Sequence, residues 1–220
     1  MGDYTAGSDE RQSARDRILF AAEELFLEKG YDGTTTRDIL ARAGVLNGSL
    51  YHAFGNKEGV FKEVMKNLFR MALDQSVEVF TEGGGYFEAL LHQPALELYA
   101  SSRSRDIASL LHHAHQSWDL VNWFADDTFR YAEDLARKEG QRVDREWYRR
   151  RAIGIIGMVG QYVEEYHRTG GGVPFHDNLR VVARTMCDLF DLPQDQVDPA
   201  IDRIRRKLES GGVTIAGVTL

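Results

Sequence analysis

The chain has 220 residues, enough for one large domain or two small ones, and its 43% hydrophobic and 28% charged residues are ordinary for a soluble globular protein. A net charge of −7 argues against binding of nucleic acid through a broadly basic surface, and the single cysteine, Cys187, excludes an internal disulfide. The polar, acidic N-terminus is unlike a signal peptide, and the longest apolar run, residues 152–160, is too short to cross a membrane, so we expect a cytoplasmic protein.

The chain begins with a predicted tail and a predicted helix. Residues 1–12 show no periodicity, and we expect them to be disordered. A helix is predicted from Ser13, which forms a capping pair with Asp16, until Gly30 ends it. Its apolar residues recur at helical spacing, which gives this helix one face to bury against its neighbours.

The next stretch predicts two short helices joined by a tight turn. Thr35 and Asp38 form a near capping box at the start of the first, and Gly44 supplies the left-handed residue that ends it. In the second, predicted over residues 47–54, Leu50 and Phe54 lie four apart and point inward. The opposite side carries donors, acceptors and flat rings, which suit base edges and phosphates in a major groove. These residues are Asn47, Ser49, Tyr51 and His52.

The rest of the chain is predicted to be helical, since it shows no strand alternation. Asn56 caps a long helix that runs to about Thr81, and Pro94 starts or kinks a helix of its own. Asp198 followed by Pro199 predicts the start of the last helix. The later helices are predicted over residues 86–91, 95–100, 106–116, 120 to about 140, 144–168, 174–190 and 198–208, with a loop at 101–104 and an unpatterned tail at 210–220.

Charge is unevenly distributed over the first part of the chain. Residues 1–60 hold seven Lys or Arg against ten Asp or Glu, a net −3. The two short helices and their surroundings, residues 33–57, hold three basic residues and one acidic residue, a net +2. We expect this stretch to bind DNA, with weak non-specific affinity because few phosphates can be neutralised.

The same stretch resembles the helix-turn-helix of the TetR family of bacterial transcriptional repressors. The resemblance extends over about residues 13–70 and implies an all-α protein, in which an N-terminal three-helix, homeodomain-like helix-turn-helix unit precedes a C-terminal helical domain that binds a ligand and dimerises. The matching motifs are Thr35-Thr36-Arg37, Ala43-Gly44-Val45, Gly48-Ser49-Leu50-Tyr51, Phe54 and Asn56-Lys57. The expected domains are residues 1–12 (disordered tail), 13–57 (DNA-binding), 58–209 (regulatory and dimerisation) and 210–220 (tail).

Carried over position by position, the resemblance implies two sets of DNA contacts. The expected backbone contacts are Thr36, Arg37, Tyr51 and Lys57. The expected base readers are Asn47, Ser49 and His52, with Gly48 allowing close approach. Leu46 departs from the family pattern, because it stands where a capping Ser or Thr is usual. Either Asn47 caps the helix one residue late, or the helix starts uncapped at a cost of about 1 kcal/mol.

The resemblance also implies a ligand pocket and a dimer interface in the C-terminal domain. Aromatic residues crowd one segment, so we expect a small apolar or aromatic ligand there. The expected pocket residues are Tyr99, His113, Trp118, Trp123, Phe124 and Tyr131. Glycines recur every third residue from Gly154 to Gly160, which predicts a close helix crossing, either with a second copy or within one chain. The expected interface residues are Ile153, Ile156, Gly157, Gly160, Val182 and Met186.

A histidine cluster supports an alternative function. His112 and His115 lie three apart on one helix face beside His113, so a helical metal-binding protein or enzyme is the second hypothesis. The favoured hypothesis is a homodimeric TetR-like regulator without enzymatic activity or cofactor. We expect it to repress from a palindromic DNA operator and to be released by a small ligand.

Overall fold

The computed structural model of the protein describes residues 13–80, 86–138, 140, 142–210, 214–215 and 218–219. The expected tail at residues 1–12 lies outside this part of the chain. The described residues are almost wholly helical, as predicted. Their ten α-helices are α1 (Ala14–Gly33), α2 (Thr36–Ala43), α3 (Asn47–Phe54), α4 (Lys57–Phe80), α5 (Tyr86–Arg103), α6 (Arg105–Gln116), α7 (Trp118–Lys138), α8 (Arg145–Thr169), α9 (Phe175–Phe190) and α10 (Val197–Glu209).

The described part of the C-terminal tail contains the only strands among the described residues. Strands β1 (Thr214–Ile215) and β2 (Val218–Thr219) pair antiparallel over two residues each. This pair is short, and it lies outside the predicted pattern because two residues are too few to show alternation.

Local signals at the first two helices act as predicted. The Ser13 hydroxyl accepts a hydrogen bond from the Asp16 amide, and Gly30 interrupts α1 with a φ of 70°. Thr35 and Asp38 form a complete capping box at α2. Gly44 follows α2 in the left-handed conformation, with φ 62° and ψ 40°, and turns the chain towards α3.

Of the two alternatives for Pro94, the expected start of a helix is wrong. Helix α5 runs unbroken from Tyr86 to Arg103 with Pro94 inside it, and the predicted loop at 101–104 shrinks to Ser104, whose hydroxyl caps α6. Proline removes one backbone hydrogen bond, but α5 is packed by α8, α9 and α10 and buries Leu91 and Leu98 completely. Packing of the buried face outweighs the local defect.

The expected cap of the last helix is also wrong. A 3₁₀ turn, Gln194–Gln196, leads directly into α10, which begins at Val197. The Asp198 carboxylate lies 3.0 Å from the Nε of Arg180 on α9, so it forms an ion pair with Arg180 instead of capping α10. An aspartate in this position can cap a helix or form an ion pair. Tertiary contacts decide between the two roles, and the sequence pattern does not contain them.

Two hydrophobic clusters organise the helices. One joins α5, α8, α9 and α10 with part of α7. The other joins α1–α4 and continues into Leu110 and Ala114 of α6 and into Leu120 and Phe124 of α7. Helices α6 and α7 therefore support the N-terminal unit from the C-terminal side. Within the described residues, no helix has the length and apolar character needed to cross a membrane.

Helices α6 and α8 cross closely at Gly160. A Cβ placed on Gly160 would lie 2.9 Å from the Nδ1 of His115, too close for real atoms, whereas Cβ atoms at Gly154 and Gly157 would meet nothing within 4 Å. The crossing predicted from the glycine spacing is therefore made within one chain at Gly160. The other two glycines face outward.

The Gly160→Ala variant tests this crossing. We expect the free energy of unfolding to fall by about 1–3 kcal/mol in urea denaturation, because the new methyl group collides with the root of the His115 side chain. Gly48→Ala is the control, since a Cβ at Gly48 meets nothing within 4 Å, and there we expect no loss. Equal stability of the two variants would contradict the close crossing.

Candidate nucleic-acid interface

Helices α2 and α3 form a rigid helix-turn-helix. The Val45 amide donates to the Leu40 carbonyl at 3.3 Å across the turn. Leu40 and Leu50 are 6% and 0% exposed, so the two helices share a buried side. This packing fixes the direction of α3 and leaves its other side to solvent.

The outer face of α3 carries the polar residues that the sequence predicted there. Asn47, Gly48 and His52 are exposed, and the Tyr51 side chain is 55% exposed. Ser49 is half-buried beside them. Because Leu50 is fully buried on the other side, the exposed set has one orientation relative to the rest of the unit.

The start of α3 has no side-chain cap. Leu46 occupies the cap position, makes no capping hydrogen bond and is 83% exposed. Of the two alternatives left open by the sequence, the uncapped start is the one observed. The Ser49 amide donates to the Leu46 carbonyl at 3.0 Å. The amides of Asn47 and Gly48 are therefore the ones available to an external acceptor.

Arg37 and Arg42 differ in how far their charge is available. Arg42 donates two parallel hydrogen bonds of 2.9 Å to Glu28 and lies 3.3 Å from Glu24 on α1. These carboxylates raise the pKa of Arg42, and Arg42 in turn lowers the pKa of Glu28. Arg37 is exposed and has no hydrogen-bond or ion-pair partner among the described residues. Arg37 is therefore the accessible cation at the start of α2.

Lys57 lies mostly inside the N-terminal unit. Its ammonium donates to the carbonyls of Tyr31 and Thr34, both at 2.9 Å, and lies 3.9 Å from the centre of the Tyr31 ring. Two of its three donors are thus committed to tying α4 to the end of α1. At most one N–H donor of the Lys57 ammonium is therefore left for the expected phosphate contact.

The N-terminal unit joins the rest of the protein through an aromatic contact. The His113 ring of α6 stacks on the Tyr31 ring at 3.7 Å between centroids. Glu58 accepts a hydrogen bond of 2.8 Å from the Tyr31 hydroxyl and lies 3.3 Å from the Nε2 of His113. Burial and this carboxylate raise the pKa of Tyr31. His113 was expected in the ligand pocket, but it lies at this junction instead.

A narrow cavity lies in the C-terminal part, with a free volume of about 60 Å³, room for roughly four to six water molecules. We name it the first chamber. Its wall is mainly apolar and includes the expected residues Phe124 and Tyr131. The Tyr131 hydroxyl is buried without a hydrogen-bond partner among the described residues, and burial raises its pKa.

The other expected pocket residues lie elsewhere. Trp118 is 64% exposed, and Trp123 packs on Phe69 beside the Arg70 guanidinium. Tyr99 contacts Phe175 at 5.1 Å between ring centroids, away from the first chamber. Aromatic residues close in sequence point to different sides of α7, so crowding in the sequence did not identify one pocket. The wall also contains polar residues that the sequence gave no signal for: Gln93, Glu97 and Tyr148, together with His115.

The three clustered histidines face three different carboxylates. His112 lies 2.7 Å from Glu164 on α8, and His115 lies 2.7 Å from Glu97 on α5. His113 faces Glu58 on α4, as described above. In the described part of the chain, no three His, Cys, Asp or Glu side chains are placed to hold one metal ion. The histidines therefore act as separate inter-helix contacts in this structure.

Most of the expected interface residues point into the chain. Val182 and Met186 are 0% and 4% exposed in the core, and Gly160 lies against His115. Ile156 lines the first chamber. Three of the expected residues are partly accessible: Ile153 and Ile156 are half-buried, and Gly157 is exposed. The buried placement of Gly160, Val182 and Met186 does not support a contact with a second copy.

Comparison with known proteins agrees with this geometry. The model of the family "Bacterial regulatory proteins, tetR family" matches residues 18–64. The HTH-type transcriptional repressor KstR2 of Mycolicibacterium smegmatis is 31% identical over 109 residues, which are 44% of this chain and 53% of that protein. The HTH-type transcriptional regulator TtgR of Pseudomonas putida is 33% identical over 109 residues, 48% of this chain and 52% of that protein. The match thus spans about half the length of these relatives.

Solved structures extend the likeness in fold to most of the chain. The crystal structure of RolR in complex with the ligand resorcinol has a TM-score of 0.67 at 15% identity, over 86% of this chain and 93% of that one. A TetR-family transcriptional regulator from Streptomyces coelicolor has a TM-score of 0.57 at 23% identity, over 81% and 98%. The class is that of helical proteins with an N-terminal helix-turn-helix. Within it, the N-terminal unit of this chain, over residues 18–64, belongs to the tetR family of bacterial regulatory proteins.

The uncapped start of α3 gives a stability prediction. Leu46→Ser is expected to raise the free energy of unfolding by about 1 kcal/mol over Leu46→Ala, because only the serine hydroxyl can accept a hydrogen bond from the first α3 amides. Both substitutions remove the same exposed leucine, so the difference in urea denaturation isolates the cap. No difference would show that these amides are already satisfied.

Proposed function

We propose that the protein is a transcriptional repressor that binds a DNA operator through the outer face of α3. The observation that carries the proposal is the exposed, uncharged polar face of α3 on a helix-turn-helix that matches the tetR family model. Relatives that match this part of the chain are named a transcriptional repressor and a negative transcriptional regulator, which supports the same activity here. We propose no catalytic role for the described residues.

The proposed contacts divide by chemistry. Arg37, Thr36 and the Tyr51 hydroxyl contact phosphates, with Lys57 contributing its one remaining donor. The uncapped amides at the start of α3 suit a further phosphate. Base edges are read by neutral side chains and Gly48 lets the helix approach closely. These proposed readers are Asn47, Ser49 and His52.

We propose a homodimer in which a surface of α8 and α9 contacts its symmetry mate. The helices run antiparallel, with Tyr166 bonded to Asn178 and Arg151 to the carbonyl of Leu189, so Val181 lies within about one turn of Gly157. Val181 is 49% exposed, and a Cβ placed on the exposed Gly154 or Gly157 of α8 would meet nothing within 4 Å. A two-fold axis here implies a palindromic operator.

A ligand is proposed to release the repressor. The support is a mainly apolar cavity with few polar groups in the C-terminal part, the kind of site that binds small molecules. RolR, which shares the fold, is described with an aromatic ligand, resorcinol. We propose a small apolar or aromatic ligand for this chain, whose binding requires wall side chains to move because the first chamber is narrow.

Salt titration of DNA binding tests the phosphate contacts. For a short random-sequence duplex, Arg37→Ala should reduce the slope of log affinity against log salt by about 1 per bound subunit, because one phosphate contact is lost. Arg130→Ala is the matched control, since it removes an exposed arginine on α7. A slope equally unchanged in both variants would overturn the proposed role of Arg37.

Tyrosine 51 provides a separate test of the docking face. Tyr51→Ala should weaken binding to the same duplex strongly while the dimer stays intact in sedimentation, and Tyr51→Phe should lose only the contribution of the hydroxyl. If Tyr51→Ala binds DNA as well as the unchanged protein, α3 does not face the DNA.

Val181→Glu tests the proposed dimer surface. A charge placed there should lower dimer affinity at least tenfold in analytical ultracentrifugation, because it would be desolvated in the interface. Val173→Glu is the control, since Val173 is 38% exposed in the segment before α9. Dimerisation that is unchanged in Val181→Glu would place the interface on another surface.

A further inference from the structure

A second apolar cavity lies beside the first chamber. We name it the second chamber, and its free volume is also about 60 Å³. Its wall comes from α1 and α4 of the N-terminal unit, with Leu27, Met65 and Leu68, and from α5 and α6. The two chambers share one partition. The residues common to both walls are Phe69, Gln93, Glu97, His115 and Phe124.

The partition holds a buried polar group between two apolar spaces. The His115 Nε2 lies 2.7 Å from Glu97 Oε2, and these side chains are only 6% and 12% exposed. Gln93 donates to the other Glu97 oxygen at 2.5 Å. Gly160 confines the other edge of the His115 ring. Burying such a pair is costly, and a wholly apolar partition would avoid this cost.

We propose that the two chambers accept one elongated, uncharged amphiphile, whose hydroxyl-type group bonds to the Glu97–His115 pair and whose apolar chain extends into the second chamber. This inference rests on the proposed ligand-released function and specifies its ligand. The ligand is uncharged, because Glu97 and His115 already face each other and a further buried charge would lack a partner. It is elongated, because two narrow spaces meet at one polar partition.

The second chamber gives such a ligand direct contact with the DNA-binding unit. Leu27 belongs to α1, and Met65 and Leu68 belong to α4, which follows directly after α3. The affinity of a ligand whose apolar chain occupies this chamber changes when α4 moves. A ligand shifts the equilibrium between two conformations only through such a difference in affinity. A ligand confined to the first chamber would contact α4 only through Phe69 and Leu73 and would not reach α1.

The test uses linear alcohols from 1-butanol to 1-dodecanol, with binding measured by calorimetry. In the unchanged protein, affinity should rise about fourfold for each methylene group until both chambers are filled. Ala72→Leu narrows the second chamber and Ala152→Leu narrows the first by the same added volume. Each variant should still bind 1-butanol. Its affinity should stop rising with added methylene groups at a shorter alcohol than in the unchanged protein.

Two results would overturn the proposal. One is that the affinity of Ala72→Leu stops rising at the same alcohol length as that of the unchanged protein, because the second chamber would then be unused. The other is absence of alcohol binding in protein that still binds DNA, which leaves the DNA-binding function intact. Failure of the DNA-binding function itself would appear as loss of duplex binding, independent of the alcohols.

The role of the Glu97–His115 pair is tested by a separate variant, which must be shown to be folded. Replacing both members of the pair, Glu97→Leu with His115→Leu, removes the hydrogen-bonding group without leaving one charge alone. Circular dichroism and duplex binding report folding. Affinity for 1-octanol should fall about tenfold in this double variant. Unchanged affinity for 1-octanol in the folded double variant would overturn the role of the pair.

Discussion

The position of α6 between the two halves of the molecule is the constraint on which the other features depend. On one side, His113 stacks on Tyr31 and faces Glu58, and so contacts the N-terminal unit. Two residues later, His115 lies against Gly160 of α8 and bonds to Glu97. A shift of α6 therefore cannot be absorbed on either side without repacking. Helix α6 therefore connects the proposed ligand site to the proposed DNA-binding face, in addition to the direct contact of the second chamber with α1 and α4.

Two of the three basic residues in the stretch 33–57 are committed to contacts within the N-terminal unit. Glu24 and Glu28 neutralise Arg42, and Lys57 is tied to two carbonyls, which leaves Arg37 as the accessible cation of residues 33–57. The consequence is weak attraction to phosphates in general, because non-specific affinity grows with each neutralised phosphate. Discrimination must then come mainly from the neutral side chains of α3, whose direction is fixed by the buried Leu50.

The helices and the helix-turn-helix could be predicted because their signals are local. The capping box at Thr35 and Asp38 and the left-handed Gly44 each act within a few residues. The sites in the C-terminal part could not be predicted in the same way. Neighbouring residues on a helix differ by about 100° in direction, so Val182 is buried whereas Val181 is half exposed. Likewise, His115 lines the first chamber whereas His113 reaches the other side of α6.

The most direct test of the account is selection of bound duplexes from a random DNA pool, at low and then at physiological salt. We expect enrichment of one palindrome, with half-sites about one helical turn apart or a multiple of it, because two α3 helices related by a two-fold axis enter successive major grooves. Enrichment of no sequence at either salt would contradict the claim that α3 reads DNA.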